Sequence, residues 1–193
     1  MSIPTTGEIK LQRQVKKDLD RHEGYREFAY PDPLSPLFKK YPHLRKKWGY
    51  KPARELLPAD TEWSLGAPWT VGHGFTGEGI TQDSKMDRTL SERKLEEKIL
   101  QINTALNRAL SWYTDTSFVT KTILINMTFN MGLVGVLKFK NTLAYIKAQN
   151  YSQAAANMEK SLWYSQVGVR AQELVKRMRT QTIEPQHAAQ EKI

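Results

Sequence analysis

The sequence predicts an α+β protein. A small lobe carries a β hairpin and a long insertion, and a long helix joins it to a larger, all-helical lobe. Three observations predict this. Apolar residues recur at helical spacing near the start of the chain and through most of its second half. A glycine-punctuated β pattern, Thr70-Val71-Gly72-His73-Gly74-Phe75, stands in the first half. Residues 33–69 differ from both flanks, with Pro33, Pro36, Pro42, Pro52, Pro58 and Pro68 set among aromatic and basic residues.

The first helix is expected over residues 9–23, after a loose lead-in at 1–8. Leu11, Val15 and Leu19 lie four apart and share one helical face. Gly24 follows the last turn, where a left-handed C-terminal residue costs glycine least. Glu23 is thereby delivered at the end of a packed helix. Tyr25, Phe28 and Tyr30 give residues 25–32 the aromatic bias of a strand. Pro31-Asp32-Pro33 breaks that run, so Asp32 emerges from a strand end or turn. Two carboxylates on separate elements can face each other across a gap, the arrangement that glycoside hydrolysis requires.

Residues 33–69 are expected as a long ordered loop or small subdomain, with helical turns at 45–50 and 52–57. A structureless connection of this length is rare unless functional. Trp48, Trp63 and Trp69 either pack as a mini-core or, with the basic residues, offer sugar subsites or a docking face for acidic envelope or a partner. After the β pattern at Thr70 and a polar connection over 77–89, Ser91 is a suitable N-cap. Leu95, Ile99, Ile102, Leu106 and Leu110 then keep helical spacing. Residues 118–131 are apolar nearly all round, as in a central buried helix, and Gly132 and Gly135 end it. Further helices are expected at 138–149, 151–163 and 168–179. Residues 181–193 read as a mobile tail. The expected organisation is one domain over 1–193, with the small lobe at about 24–90 and the helical lobe at about 9–23 and 91–180.

The net charge of +9 favours anionic polymers. With no cysteine, disulfides, thiolate metal sites and a cysteine nucleophile are excluded. The first residues lack the basic flank and apolar core of a secretory signal. No stretch approaches the roughly 18 apolar residues of a membrane span, so stable membrane insertion is not expected. His22, His43, His73 and His187 show no ligand spacing, and neither metal nor cofactor is expected. The basic residues form no single stripe and no helix-turn-helix or RNA-binding signature accompanies them, which argues against a nucleic-acid partner.

Several separated motifs together carry a resemblance. Glu23-Gly24-Tyr25-Arg26, Tyr30-Pro31-Asp32 and Thr70-Val71-Gly72-His73-Gly74 resemble the active-site signature of the phage-type lysozymes, the endolysin family. In the second half, Asn126-Met127-Thr128-Phe129-Asn130-Met131-Gly132, then Gly135 to Leu143, Ala154 to Asn157, Ser161 to Tyr164 and Arg170 follow that family's helical lobe in order. The resemblance spans about residues 9–180 without the insertion and implies a lysozyme-like fold. It implies a muramidase that cleaves the β-1,4 bond between N-acetylmuramic acid and N-acetylglucosamine in peptidoglycan.

Carried over by position, the general acid falls on Glu23, the second carboxylate on Asp32 and the active-site threonine on Thr70. Substrate contacts fall on Phe129, Thr142 and Asn157, and the arginine supporting the catalytic glutamate on Arg170. The resemblance also implies a monomer made in an infected host's cytoplasm, reaching the wall through a holin-type lesion. A virion-associated hydrolase and a catalytically silent wall-binding module are the alternatives. Two departures stand out. Residues 33–69 separate Asp32 from Thr70, where compact members have a tight hairpin, so the insertion's ends must return to a hairpin's separation. His73 stands between the glycines, where the family places an aromatic or aliphatic residue and has its histidine after them.

The chemistry defines the roles. A glycosidic oxygen leaves readily only when protonated, so the acid must hold a proton near neutral pH, although a free glutamate releases it at about 4.3. The second carboxylate either attacks the anomeric carbon or activates a water, and the threonine favours water.

Overall fold

The computed structural model describes residues 5–181. The predicted tail at 181–193 lies outside the described residues except for Gln181, as do residues 1–4 of the lead-in expected over 1–8. The chain divides into two compact units, one of Lys16–Lys98 and one of Met1–Val15 with Ile99–Ile193. The divisions fall inside the first helix and the long middle helix, rather than at their ends as the expected lobe boundaries have it.

Helix α1 is Thr6–Glu23. It starts earlier than expected because Thr5 and Glu8 cap it reciprocally: Glu8 N donates to Thr5 Oγ1 at 3.3 Å and Thr5 N to the Glu8 carboxylate at 2.7 Å. Leu11, Val15 and Leu19 are all buried, as their spacing predicts. The helix stops at Glu23, where Gly24 takes φ +63° and donates its N–H to Asp20 O at 2.9 Å.

In the unit of Lys16–Lys98, strands β1 (Arg26–Pro31), β2 (Trp69–Gly72) and β3 (Phe75–Thr76) form an antiparallel sheet in that order. Tyr30 pairs with Thr70 and Pro31 with Trp69. Pro31 is tolerated because β1 lies at the sheet edge, where a missing N–H costs no ladder bond.

The insertion folds between these paired residues. It contains α2 (Pro36–Lys40), a 3-10 turn at Pro42–Leu44, α3 (Ala53–Leu56) and a 3-10 turn at Trp63–Gly66. The expected turn at 52–57 is α3. The one expected at 45–50 is a series of non-helical turns, and helix formation falls instead on α2, which Ser35 caps by accepting from Phe38 N at 3.2 Å. Leu37, Leu44, Trp48, Ala53 and Leu57 bury themselves against Ala29 and Trp69. The Trp69 ring lies 6.5 Å from that of Trp48 and 6.2 Å from that of Trp63, separations at which aromatic pairs attract. Of the two readings of these tryptophans, the mini-core is the one the fold adopts.

Helix α4 is Arg88–Ala109 and starts ahead of the expected Ser91. Asp87 is its cap, accepting from Leu90 N at 2.9 Å, and Ser91 is buried inside the first turns. Leu95, Ile99, Ile102, Leu106 and Leu110 are buried.

In the other unit, α5 (Phe118–Leu137) is capped by Ser117 and broken at Gly132, which has φ +75°. Its first part therefore ends where the sequence predicts. By length and mean hydropathy α5 could cross a membrane, contrary to the expectation that no stretch comes near. Its buried face nevertheless holds Thr120, Thr122, Asn126 and Thr128 beside Ile123, Leu124, Ile125 and Met127. The Asn126 amide nitrogen and the Thr128 hydroxyl donate to carbonyls one turn back, at 2.9 and 2.8 Å, as polar groups in a protein core do. Helices α6 (Lys140–Lys147), α7 (Tyr151–Glu159), α8 (Leu162–Val167) and α9 (Val169–Arg179) complete the unit. The stretch expected as one helix over 151–163 is divided, because Ser161 caps a new helix by accepting from Tyr164 N at 3.2 Å.

Candidate active site

The first three candidate residues lie within the unit of Lys16–Lys98. Glu23 is the last residue of α1, half-buried, and Gly24 turns the chain directly into β1. Asp32 follows the last residue of β1. Its backbone N lies 3.2 Å from both Gly66 O and Pro68 O, so the far end of the insertion is fastened to its beginning. The ends thus return to a hairpin's separation, as the chemistry requires. Thr70 sits opposite Tyr30, two residues before Asp32. Diagonal positions of this kind on one face of an antiparallel pair are about 7 Å apart. The Asp32 carboxylate is oriented by Leu34 N, which donates to Oδ1 at 2.7 Å.

Tyr30 feels the charge of both acid groups. Its phenol is held above its ordinary pKa first by burial and next by the negative charge of Glu23; Asp32 adds to the rise and Arg26 opposes it. Both carboxylates therefore lie within electrostatic reach of one hydroxyl. The sequence marks Tyr30 only as part of a motif, without a role.

The hairpin apex closes on Glu23. Gly74 has φ +83°, and a side chain there would begin 3.4 Å from Glu23 Oε2. The apex is fixed by His73, which is fully buried and supports the hairpin. Its Nε2 is 2.8 Å from Asp20 Oδ1 on α1 and its Nδ1 is 2.7 Å from Ser91 Oγ on α4. Serine, histidine and aspartate in sequence of contact suggest a nucleophile, but Ser91 is wholly buried and meets no substrate. The trio is a clamp. The roles of Asp20 and Ser91 as partners of His73 escape sequence reasoning; the available signal is that Asp20 lies three residues from Glu23, on the same helical face.

The remaining candidates lie in the other unit. Thr142 Oγ1 donates to Asn157 Oδ1 at 2.8 Å, so α6 and α7 bring these two together. Asn157 also lines a hollow of about 500 Å³ with Lys138, Phe139, Lys140, Asn141, Lys160 and Ser161. Phe129 is half-buried near the end of the first part of α5. Arg170 is buried rather than solvated, and its Nη2 donates to Asn126 O at 3.3 Å.

With this geometry in view, the family model for phage lysozyme matches residues 57–181, more than half of the chain. The chain belongs to the phage lysozyme family. A probable T4-type lysozyme 1 of Dictyostelium discoideum is 31% identical over 114 residues, covering 55% of this chain and 67% of the relative. A probable T4-type lysozyme 2 of the same organism is 27% identical over 117 residues, covering 57% and 69%. The match to the phage lysozyme family includes Thr70, Phe129, Thr142, Asn157 and Arg170 but begins after Glu23 and Asp32. Those two acids rest on their own motif and on the strand pairing above.

Proposed function

We propose that this protein is a muramidase, hydrolysing the β-1,4 bond between N-acetylmuramic acid and N-acetylglucosamine in peptidoglycan. Glu23 protonates the leaving oxygen. Asp32 and Thr70 hold a water that attacks the anomeric carbon from the opposite side, and Asp32 takes that water's proton. This route inverts the configuration. Phe129, Thr142 and Asn157 contact the glycan, and Arg170 has a supporting role. The observation that carries the reading is the pairing of Tyr30 with Thr70 and Pro31 with Trp69, which closes the insertion and leaves Asp32 diagonal to Thr70 at the end of the strand pair. We assign the protein the part of an endolysin, acting as a monomer from within an infected bacterium through a membrane lesion.

The test is a turbidity assay on outer-membrane-permeabilised Gram-negative cells. Glu23→Gln is expected to lower the lysis rate by at least about a hundred-fold, the usual loss of a general acid. Equal lysis by both proteins removes Glu23 from the chemistry, and lysis by neither points to a silent wall-binding module. The anomer first released, read by NMR on a soluble glycan, distinguishes inversion from retention.

A further inference from the structure

The insertion is more than a cover. Between residues 33 and 54 it carries Lys39, Lys40, Arg45, Lys46, Lys47, Lys51 and Arg54 and no acidic residue at all. Arg54 is neutralised by Asp83, with Nη2 at 2.7 Å from Oδ2. The other six are exposed and have no carboxylate partner among the described residues. So dense a run of uncompensated cations repels itself, and it costs the fold least when an external polyanion faces it.

The chemistry beside these cations narrows the partner. Arg45 lies 5.4 Å from the Phe38 ring centre and Lys40 lies 5.5 Å from that of Tyr41, while both rings also pack against the insertion's core. Arg26 covers Tyr50 at 4.3 Å. These aromatic faces are already occupied, which leaves little for the base stacking that single-stranded nucleic acid would use. Leu34, just ahead of the basic segment, is 76% exposed. Cations next to an exposed aliphatic side chain suit a headgroup layer, where charge meets phosphate and the apolar group enters the interface.

We propose that the exposed basic segment of the insertion, Lys39 to Lys51, docks the protein on an anionic phospholipid surface. Docking is peripheral and electrostatic, independent of glycan cleavage, and it holds the protein at the membrane face.

Co-sedimentation tests this with the full chain. Wild type is expected to sediment with vesicles of phosphatidylglycerol and phosphatidylethanolamine, to remain free with phosphatidylcholine alone, and to be released by salt. Lys46→Gln with Lys47→Gln is expected to lower partition about 25-fold, about five-fold for each cation removed. Lys94→Gln with Lys98→Gln removes the same charge from α4 and is expected to change partition far less. Binding to neutral vesicles as strong as to anionic ones overturns the proposal. So does an equal loss from the α4 pair, which would make net charge and not this segment the cause. Complete displacement from vesicles by duplex DNA at matched phosphate concentration overturns it in favour of a nucleic-acid partner.

Discussion

His73 and Ser91 are bonded twice: the His73 backbone N donates to Ser91 Oγ at 3.0 Å, and the imidazole Nδ1 lies 2.7 Å from the same oxygen. In the neutral ring the Ser91 hydroxyl then donates to Nδ1, and the Nε2 proton faces Asp20. The serine on α4 thereby fixes the backbone of the hairpin apex, while the carboxylate of Asp20, which can only accept, places the proton on Nε2. Ser91→Ala leaves two buried groups of His73 without a partner, and about 1–3 kcal/mol of stability is expected to be lost. Asp20→Ala is expected to cost less, because the Asp20 side chain is 49% exposed and water can replace it. Urea unfolding of the two variants measures the order. A larger loss from Asp20→Ala contradicts the clamp as described.

Gly74 is the contact between that apex and Glu23. Alanine there meets a positive φ of 83°, which costs a side chain about 1–2 kcal/mol. Its Cβ would rest at ordinary contact distance, 3.4 Å, from Glu23 Oε2. The expected outcome for Gly74→Ala is a modest loss of stability and a fall in kcat with little change in KM. A lysis-rate titration against wall concentration separates the two. Unchanged kcat would mean the apex does not set the Glu23 environment.

The repeating signals in the sequence transfer directly to the fold. Apolar spacing placed Leu11, Val15 and Leu19, and Leu95 through Leu110, in the interior, because helical period and burial are the same fact seen twice. Gly24 and Gly132 marked real ends. What was not legible depends on choices between local options. Ser91 and Asp87 are both acceptable caps, and the buried imidazole of His73 decides by claiming the Ser91 hydroxyl. Within the insertion the prolines mark breaks, but which segment coils depends on how Leu37, Leu44 and Trp48 reach a shared core. The candidate site divides the same way. Glu23, Asp32 and Thr70 were readable as a motif, whereas the reach of Tyr30 to both acids is long-range and has no local signature.

Trp69 links the insertion's core to the site. It is a β2 residue paired with Pro31, its ring contacts both Trp48 and Trp63, and its Nε1 donates to Trp63 O at 3.3 Å. Trp69→Ala removes a ring that is only 5% exposed, and about 3–5 kcal/mol is the expected cost. The half-buried Trp63 is expected to cost less. Because Asp32 N is held by Gly66 O and Pro68 O, loosening this corner is expected to reduce lysis even at temperatures where the protein remains folded. Limited proteolysis reports the loosening as faster cleavage within residues 33–68, and resistance equal to wild type would contradict the link.

Alkaline pH tests the buried phenols. Tyr113 is 2% exposed and donates to Asn103 Oδ1 at 2.7 Å, and burial pushes its pKa far above the ordinary value of about 10. Tyr30 is raised too, by burial first and then by Glu23. The unfolded chain releases these protons near pH 10 while the folded chain retains them. Their stabilising contribution is therefore complete below about pH 10 and is lost as pH rises above it. Tyr113→Phe is expected to cost about 1 kcal/mol near neutrality, the net worth of one hydrogen bond. It also removes one titrating group, so the variant's stability should fall less steeply above about pH 10 and approach that of wild type. Urea midpoints measured on both sides of that pH decide the matter: parallel curves would show that Tyr113 ionises alike in the folded and unfolded chains.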